Sequence, residues 1–195
     1  RGLGDVYKRQ KDISHLTAEK VARLGIARTF QNIRLFSQQS VLDNVMTGLN
    51  NQVQYSLAES LLHVGSYHKK EKEMIERSME ILRVFGLEGS AQTLASNLPY
   101  GKQRKLEIAR ALATKPELLL LDEHTAALDP KTAKKVLELT EEIVAKDNLT
   151  TLMITHNMKD AIRLGNRLIM MHEGKVIYDI SGEEKKNLKV ADLLA

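Results

Sequence analysis

The stretch Leu118-Leu-Leu-Leu-Asp122-Glu123 decides the fold of this chain. Its apolar run lies between Pro116 and two acidic residues, so a turn signal bounds it at each end. A short, wholly apolar run of this kind predicts a central parallel strand that is buried on both faces. The two carboxylates would then lie at the carboxyl edge of the sheet, where open α/β folds bind ligands.

Predicted helices and strands alternate around this strand. We expect further strands at residues 26–30, 149–155 and 167–171, the last with a hairpin partner at 175–179. We expect helices at residues 17–24, 41–49, 102–114, 130–147 and 159–164, and a mostly helical insert at 51–95. Met74, Ile81, Leu82 and Phe85 form the predicted buried stripe of the insert, and Val136, Leu139, Ile143 and Val144 that of the helix opened by Asp129-Pro130. The alternation predicts an α/β fold with a mostly parallel sheet.

Composition narrows the class of protein. The 195 residues are 43% hydrophobic and 28% charged, which is typical of one globular domain. The absence of cysteine excludes disulfides and thiolate metal sites. A net charge of +4, only 4% aromatic residues and no tryptophan argue against nucleic-acid binding. No apolar run spans a bilayer and no signal-peptide pattern occurs, so we expect a cytosolic chain that reaches a membrane only through a partner.

Three polar segments could carry chemistry. Asp122 could hold Mg²⁺ and Glu123 could polarise an attacking water, although a strand that simply ends in solvent would look the same. In the segment Leu98-Pro-Tyr-Gly101-Lys-Gln103, a glycine at a helix start lets backbone N–H groups approach an anion. His156 follows the next predicted strand, where it could contact a phosphate or serve as an ordinary surface residue.

The order of these segments resembles the nucleotide-binding subunit of an ABC transporter, over residues 12–195. The matching motifs are Thr29-Phe-Gln31 (Q-loop), Leu98 to Gln103 (signature motif), Leu118 to Glu123 (Walker B strand), Ala127-Leu-Asp129 (D-loop) and His156 (switch histidine). The resemblance implies a P-loop NTPase (RecA-like) parallel sheet with a helical subdomain at about residues 40–113.

The resemblance also implies roles for individual residues. Glu123 would be the general base, His156 the γ-phosphate contact, Asp122 the metal ligand, and Gln31 the sensor of Mg²⁺ and the γ-phosphate. The signature residues would bind the ATP held by the opposite subunit, and these are Leu98, Pro99, Tyr100, Gly101, Lys102 and Gln103. Asp129 would couple the two sites across the dimer.

The implied cofactors are ATP and Mg²⁺. The implied partners are transmembrane permease subunits, a second ATPase subunit in a homo- or heterodimer and, indirectly, an extracytoplasmic substrate-binding protein. The chain would then lie peripherally on the cytoplasmic face of the plasma membrane.

The chain departs from the family at the Walker A loop, because no G-x-x-x-x-G-K-[ST] occurs in residues 1–195. We therefore expect a fragment that lacks the P-loop strand and the N-terminal β-subdomain, with residues 1–10 as a non-family leader. A divergent but genuine start is the alternative. The fragment would bind ATP poorly and be marginally stable, with a gap or unpaired edge beside the 149–155 strand.

The substrate branch differs between the two parts of the sequence. Residues 28–36 and 98–110 resemble the branched-chain amino acid importers' ATPase, whereas residues 123–132, 155–160 and 181–186 look more like ATPases of tryptophan/tyrosine-type uptake systems. The changeover falls at Leu118–Glu123, where a chimera would join, although one natural subfamily could mix both features. Branched-chain substrates are favoured over aromatic ones. A soluble ABC ATPase acting on ribosomes or DNA and a binding-only relic are the competing functions.

Overall fold

A computed structural model describes residues 7–8, 11–49, 67–126 and 128–193 of the chain. These residues belong to two compact units, residues 1–152 and residues 153–195. Most of the expected leader, Asn50, residues 51–66 of the predicted helical insert and Ala127 of the D-loop segment lie outside the described residues. The short strands β1 (Tyr7–Lys8) and β2 (Lys11–Asp12) pair antiparallel.

A three-stranded sheet carries the Leu118–Glu123 stretch. Its order is β3 (Ile26–Arg28), β4 (Leu118–Asp122), β5 (Thr150–Ile154), and β3 pairs parallel to β4. The predicted parallel strand in the middle of the sheet is therefore confirmed. The expectation of full burial on both faces is wrong: Leu119 and Leu121 are buried, whereas Leu118 and Leu120, on the opposite face, are only half-buried because less of the described chain covers that face.

Five helices accompany the sheet among the described residues of the larger unit. They are α1 (Ala18–Arg23), α2 (Val41–Leu49), α3 (Tyr67–Val84), α4 (Tyr100–Ala113) and α5 (Pro130–Lys146), with 3₁₀ turns at Glu88–Ser90 and Ala95–Asn97. Helix α4 begins two residues before the predicted start, because the Pro99 carbonyl already accepts from the amides of Lys102 and Gln103, at 2.9 and 3.0 Å.

The main apolar core lies where α2, α3 and α4 meet. The predicted stripe of α3 is confirmed, since Met74, Leu82 and the following Phe85 are buried and Ile81 is half-buried. Gly48 allows α2 and α4 to pack closely, because a Cβ at this position would lie 2.6 Å from the Arg110 carbonyl oxygen. The two helix backbones can meet at this distance only because residue 48 has no side chain.

Helix α5 begins as predicted, with Asp129 as its N-cap and Pro130 at its first position. The Asp129 side chain accepts a 3.0 Å hydrogen bond from the Thr132 amide. Two of the four predicted inward residues are buried, Val136 and Ile143, while Leu139 and Val144 are half-buried. Leu137 is also buried, which the predicted stripe missed.

The smaller unit consists of short elements around a hairpin. They are α6 (Met158–Arg163), β6 (Arg167–His172), β7 (Lys175–Ser181), α7 (Gly182–Lys186) and a 3₁₀ turn at Val190–Leu193. The predicted hairpin is confirmed and runs two residues further than expected, because Arg167 pairs with Ser181. Its turn uses two left-handed residues, Glu173 at φ 48° and Gly174 at φ 77°. Across the described ranges, we find no helix with the length and apolar character needed to cross a bilayer.

Candidate functional site

The predicted site residues Gln31, Asp122 and Glu123 come together at the carboxyl end of β4. Gln31 Nε2 donates a 3.0 Å hydrogen bond to Glu123 Oε2, although the two residues are far apart in sequence. Glu123 leaves the strand in the left-handed region, at φ 43°. A non-glycine residue held in this conformation costs of order 1–3 kcal/mol, and such residues cluster at functional sites. The left-handed backbone at Glu123 therefore supports the prediction that this residue belongs to a functional site.

Asp122 is held by Arg28, the last residue of β3, and by Thr29, which follows it. Its Oδ2 forms an ion pair with Arg28 and accepts a 2.7 Å hydrogen bond from the guanidinium. Its backbone amide donates to Thr29 Oγ1 at 3.3 Å. No role was predicted for Arg28 from its sequence position, and only the parallel pairing of β3 with β4 places it here. A cation bound by Asp122 would therefore compete with the guanidinium for the same carboxylate.

The side chains at this edge of the sheet could bind Mg²⁺ together with a nucleotide, although they could not enclose the ion by themselves. Within the described ranges, we find no cluster of three or more histidine, cysteine or acidic side chains that could hold a metal. Mg²⁺ in nucleotide sites usually needs only one or two carboxylates, because phosphates and waters complete its octahedron. Asp122 and Glu123 supply carboxylate oxygens of this type, and Gln31 supplies an amide oxygen.

The segment Leu98–Gln103 forms the start of helix α4. Leu98 is buried, and its carbonyl accepts from Gln103 Nε2 at 2.8 Å, while Pro99 and Lys102 are exposed. A Cβ at Gly101 would lie 2.8 Å from Thr132 Cγ2. The glycine that we predicted for anion approach thus also lets α4 pack against α5.

Buried charges on α4 hold the loop that carries Gln31. Arg104 Nη1 lies 2.6 Å from Glu107 Oε2, and both side chains are almost fully buried. Arg104 also donates to the carbonyl oxygens of Phe30 and Gln31, each at 2.7 Å. The strand predicted at residues 26–30 ends at Arg28. From Phe30 onward, the backbone forms hydrogen bonds with side chains of α4 and not with a neighbouring strand. Arg104 and Glu107 were not predicted as site residues, because no local sequence signal distinguishes a buried ion pair on a helix from a solvent-exposed one.

His124 lies next to the site residues and is itself buried, with 1% of its surface exposed. Burial, together with the positive charge of Arg104, lowers the pKa of His124 from 6.5 to about 4. His124 is therefore a neutral imidazole at pH 7. Its Nε2 atom has no hydrogen-bond partner among the described residues.

Asp129 and His156 take other positions. Asp129 is exposed and caps α5, and the hydrogen bonds from Thr132 hold the pKa of its carboxyl below the usual value. His156 lies in the smaller unit, between β5 and α6, and its side chain is exposed. The larger unit thus brings together three of the predicted residues, Gln31, Asp122 and Glu123. The roles predicted for Asp129 and His156 stay predictions.

Comparison of the sequence with known proteins identifies its family. Residues 3–126 match the family model for the ABC transporter domain. The chain is 35% identical to the high-affinity branched-chain amino acid transport ATP-binding protein LivG of Salmonella typhimurium, with 94% of this chain and 72% of that protein covered. It is also 35% identical to a tyrosine transport ATP-binding protein of Clostridioides difficile, with 98% and 73% covered.

A solved structure shows the same fold. The ATP-binding cassette MJ0796, determined as a dimer in a post-hydrolysis state with ADP and Pi, superposes with a TM-score of 0.73. It is 27% identical in sequence, and the match covers 91% of this chain and 72% of that one. The parallel sheet and helices described above are therefore those of an ABC cassette, as the sequence predicted.

Proposed function

Because the chain belongs to the ABC transporter family of ATPases, we propose that it is the ATP-hydrolysing, energy-coupling subunit of an amino-acid importer. The observation that carries this proposal is the 3.0 Å contact between Gln31 Nε2 and Glu123 Oε2, beside Asp122 at the end of a parallel strand. This contact holds an acceptor carboxylate at the sheet edge where α/β folds bind nucleotides.

In the proposed site, Glu123 is the general base that takes a proton from the attacking water. A carboxylate is suited to this because it accepts hydrogen bonds and can hold the transferred proton. The Gln31 amide donates a hydrogen bond to the carboxylate and orients it. Mg²⁺, when bound with ATP, would neutralise phosphate charge, and Asp122 would hold it once Arg28 yields the carboxylate.

The remaining proposed contacts follow the family motifs. His156 contacts the γ-phosphate, and the segment Leu98–Gln103 binds the nucleotide of the opposite subunit. Asp129 couples the two sites across the dimer. The dimeric, ADP- and Pi-bound state of MJ0796 supports such an arrangement, in which two ATPase subunits of the same or different sequence act together.

The proposed partners and location follow from the same role. Transmembrane permease subunits would hold the chain peripherally at the cytoplasmic face of the plasma membrane, and an extracytoplasmic binding protein would act on the permease. The proposed substrates are amino acids, with branched-chain ones favoured over aromatic ones. The names of the relatives LivG and the tyrosine transport ATP-binding protein support both classes.

Uptake by the source cells tests the substrate class. Disruption of the gene is expected to abolish import of labelled leucine and to leave that of labelled tyrosine unchanged. Loss of tyrosine uptake alone would move the proposal to aromatic substrates. Unchanged uptake of both would refute amino-acid import.

The chemistry is tested on the purified chain. Since residues 1–195 contain no G-x-x-x-x-G-K-[ST], we expect the purified chain to bind Mg-ATP weakly, and binding at micromolar concentration would contradict this. Any turnover at millimolar ATP should be lost in Glu123→Gln and kept in the exposed control Glu138→Gln. Equal turnover in both variants would remove Glu123 as the base. Co-purification with permease subunits in the absence of turnover would favour a binding-only role.

A further inference from the structure

The buried ion pair between Arg104 and Glu107 contacts the Gln31 loop but takes no part in the proposed hydrolysis chemistry. Both side chains lie on α4, with exposed fractions of 0% and 2% and a separation of 2.6 Å. A buried pair of this kind is weak evidence for stability, because desolvation of the two charges offsets their attraction. Its hydrogen bonds are therefore more informative than its charge.

The pair satisfies the backbone of the loop that carries Gln31. Glu107 Oε1 accepts from the amides of Phe30 and Arg34, at 3.4 and 3.3 Å. Arg104 donates to the carbonyl oxygens of Phe30 and Gln31, both at 2.7 Å. Four backbone groups of a segment that is neither helix nor strand thus depend on one acid and one base.

The geometry of the two side chains suits this task. The planar guanidinium presents several N–H groups in a rigid fork, so one arginine can bind two carbonyls and a carboxylate together. The carboxylate of Glu107 uses one oxygen for the guanidinium and the other for the two amides. Replacement of either residue by an apolar one would remove the side-chain partners of these backbone groups.

The loop in turn determines where Gln31 can reach. Arg104 donates a hydrogen bond to the Gln31 carbonyl oxygen. The side chain of Gln31 in turn ends 3.0 Å from Glu123 Oε2. We propose that Arg104 and Glu107 are positioning residues, which hold the loop of residues 29–34 so that the Gln31 amide stays on the Glu123 carboxylate. This inference rests on the proposed function for its catalytic meaning, although the positioning itself can be measured without nucleotide.

Nuclear magnetic resonance of the full 195-residue chain tests the proposal. Hydrogen exchange of the Phe30 and Arg34 amides reports on the Glu107 contacts. The side-chain amide signals of Gln31, assigned by their loss in Gln31→Ala, report on the contact with Glu123, and Glu123→Ala gives their position when that contact is absent.

The test variant is Glu107→Gln, which removes the charge and places an amide donor opposite the guanidinium. We expect exchange at Phe30 and Arg34 to rise at least tenfold, and the Gln31 side-chain signals to move toward their Glu123→Ala position. The matched control is Glu138→Gln, the same change in an exposed pair on α5, and it should alter neither reading. Exchange in the rest of α5 should stay unchanged in both variants, which separates positioning from a general loss of stability.

Two results would overturn the proposal. One is a folded Glu107→Gln chain in which the Gln31 signals and both amides keep their wild-type behaviour. The other needs no variant and applies even if Glu107→Gln fails to fold: Phe30 and Arg34 amides that exchange in the wild-type chain as fast as in an unstructured peptide. Failure of ATP turnover would bear on the proposed function and leave both readings interpretable.

Discussion

Acid is expected to destabilise this protein through one buried side chain, His124. Its pKa is lowered from 6.5 to about 4, first by burial and then by the charge of Arg104. The unfolded chain therefore binds a proton near pH 6.5, whereas the folded chain binds it only near pH 4. Between these values unfolding takes up a proton, so the contribution of His124 to stability is present above pH 6.5 and is lost as the pH falls toward 4.

The size of the effect follows from the two pKa values. They differ by about 2.5 pH units, and each unit corresponds to about 1.4 kcal/mol, so the whole contribution is on the order of 3 kcal/mol. Most of it, roughly 2 kcal/mol, should disappear between pH 7 and pH 4.5.

Urea unfolding followed by circular dichroism at pH 7 and pH 4.5 measures this difference. His124→Leu removes the titrating group and should lose about 2 kcal/mol less than the wild type over that interval. The control His172→Leu changes an exposed histidine and should keep the wild-type loss. Equal losses in the wild type and in His124→Leu would refute the reasoning, because the pH dependence would then come from other groups.

Three further predictions concern the packing of the larger unit. Gly48→Ala should cost about 1–3 kcal/mol of unfolding free energy in a urea titration, because the new Cβ would lie 2.6 Å from the backbone oxygen of Arg110. The control Gly89→Ala has open space around the new Cβ and should cost far less. Leu82→Ala should cost about 2–5 kcal/mol, since the side chain is fully buried in the main core, and an unchanged urea midpoint would contradict that burial. Asp129→Ala should lower Tm and Asp129→Asn should largely keep it, because asparagine also caps a helix; equal melting of the two variants would show that the cap does not matter.

The order of the elements could be predicted from local sequence because local patterns encode it. The apolar run before Asp122, the Asp129-Pro130 helix start and the hairpin of residues 167–179 each depend on a few neighbouring residues, and the structure places all three as predicted. Where boundaries were wrong, a tertiary partner intervened. The strand expected to continue to Phe30 ends at Arg28: the Thr29 amide still bonds to Leu120, whereas at Phe30 side chains of α4 bind the backbone instead.

The candidate site shows the same division. Motif order alone predicted Gln31, Asp122 and Glu123 as site residues, because the resemblance to the ABC transporter family rests on these motifs in this order. That order cannot reveal which other side chains face them. Arg28 reaches Asp122 only through the pairing of two distant strands.

The sequence by itself determined the class of fold and the family, and it predicted the candidate site residues, since these depend on residue type and on spacing along the chain. Tertiary structure alone decided the environment of those side chains: the ion pair on Asp122, the neutral state of His124 and the hold of Arg104 and Glu107 on the Gln31 loop. The physical reason is that burial, electrostatic potential and hydrogen-bond partners depend on which distant segments meet, and no local pattern records that.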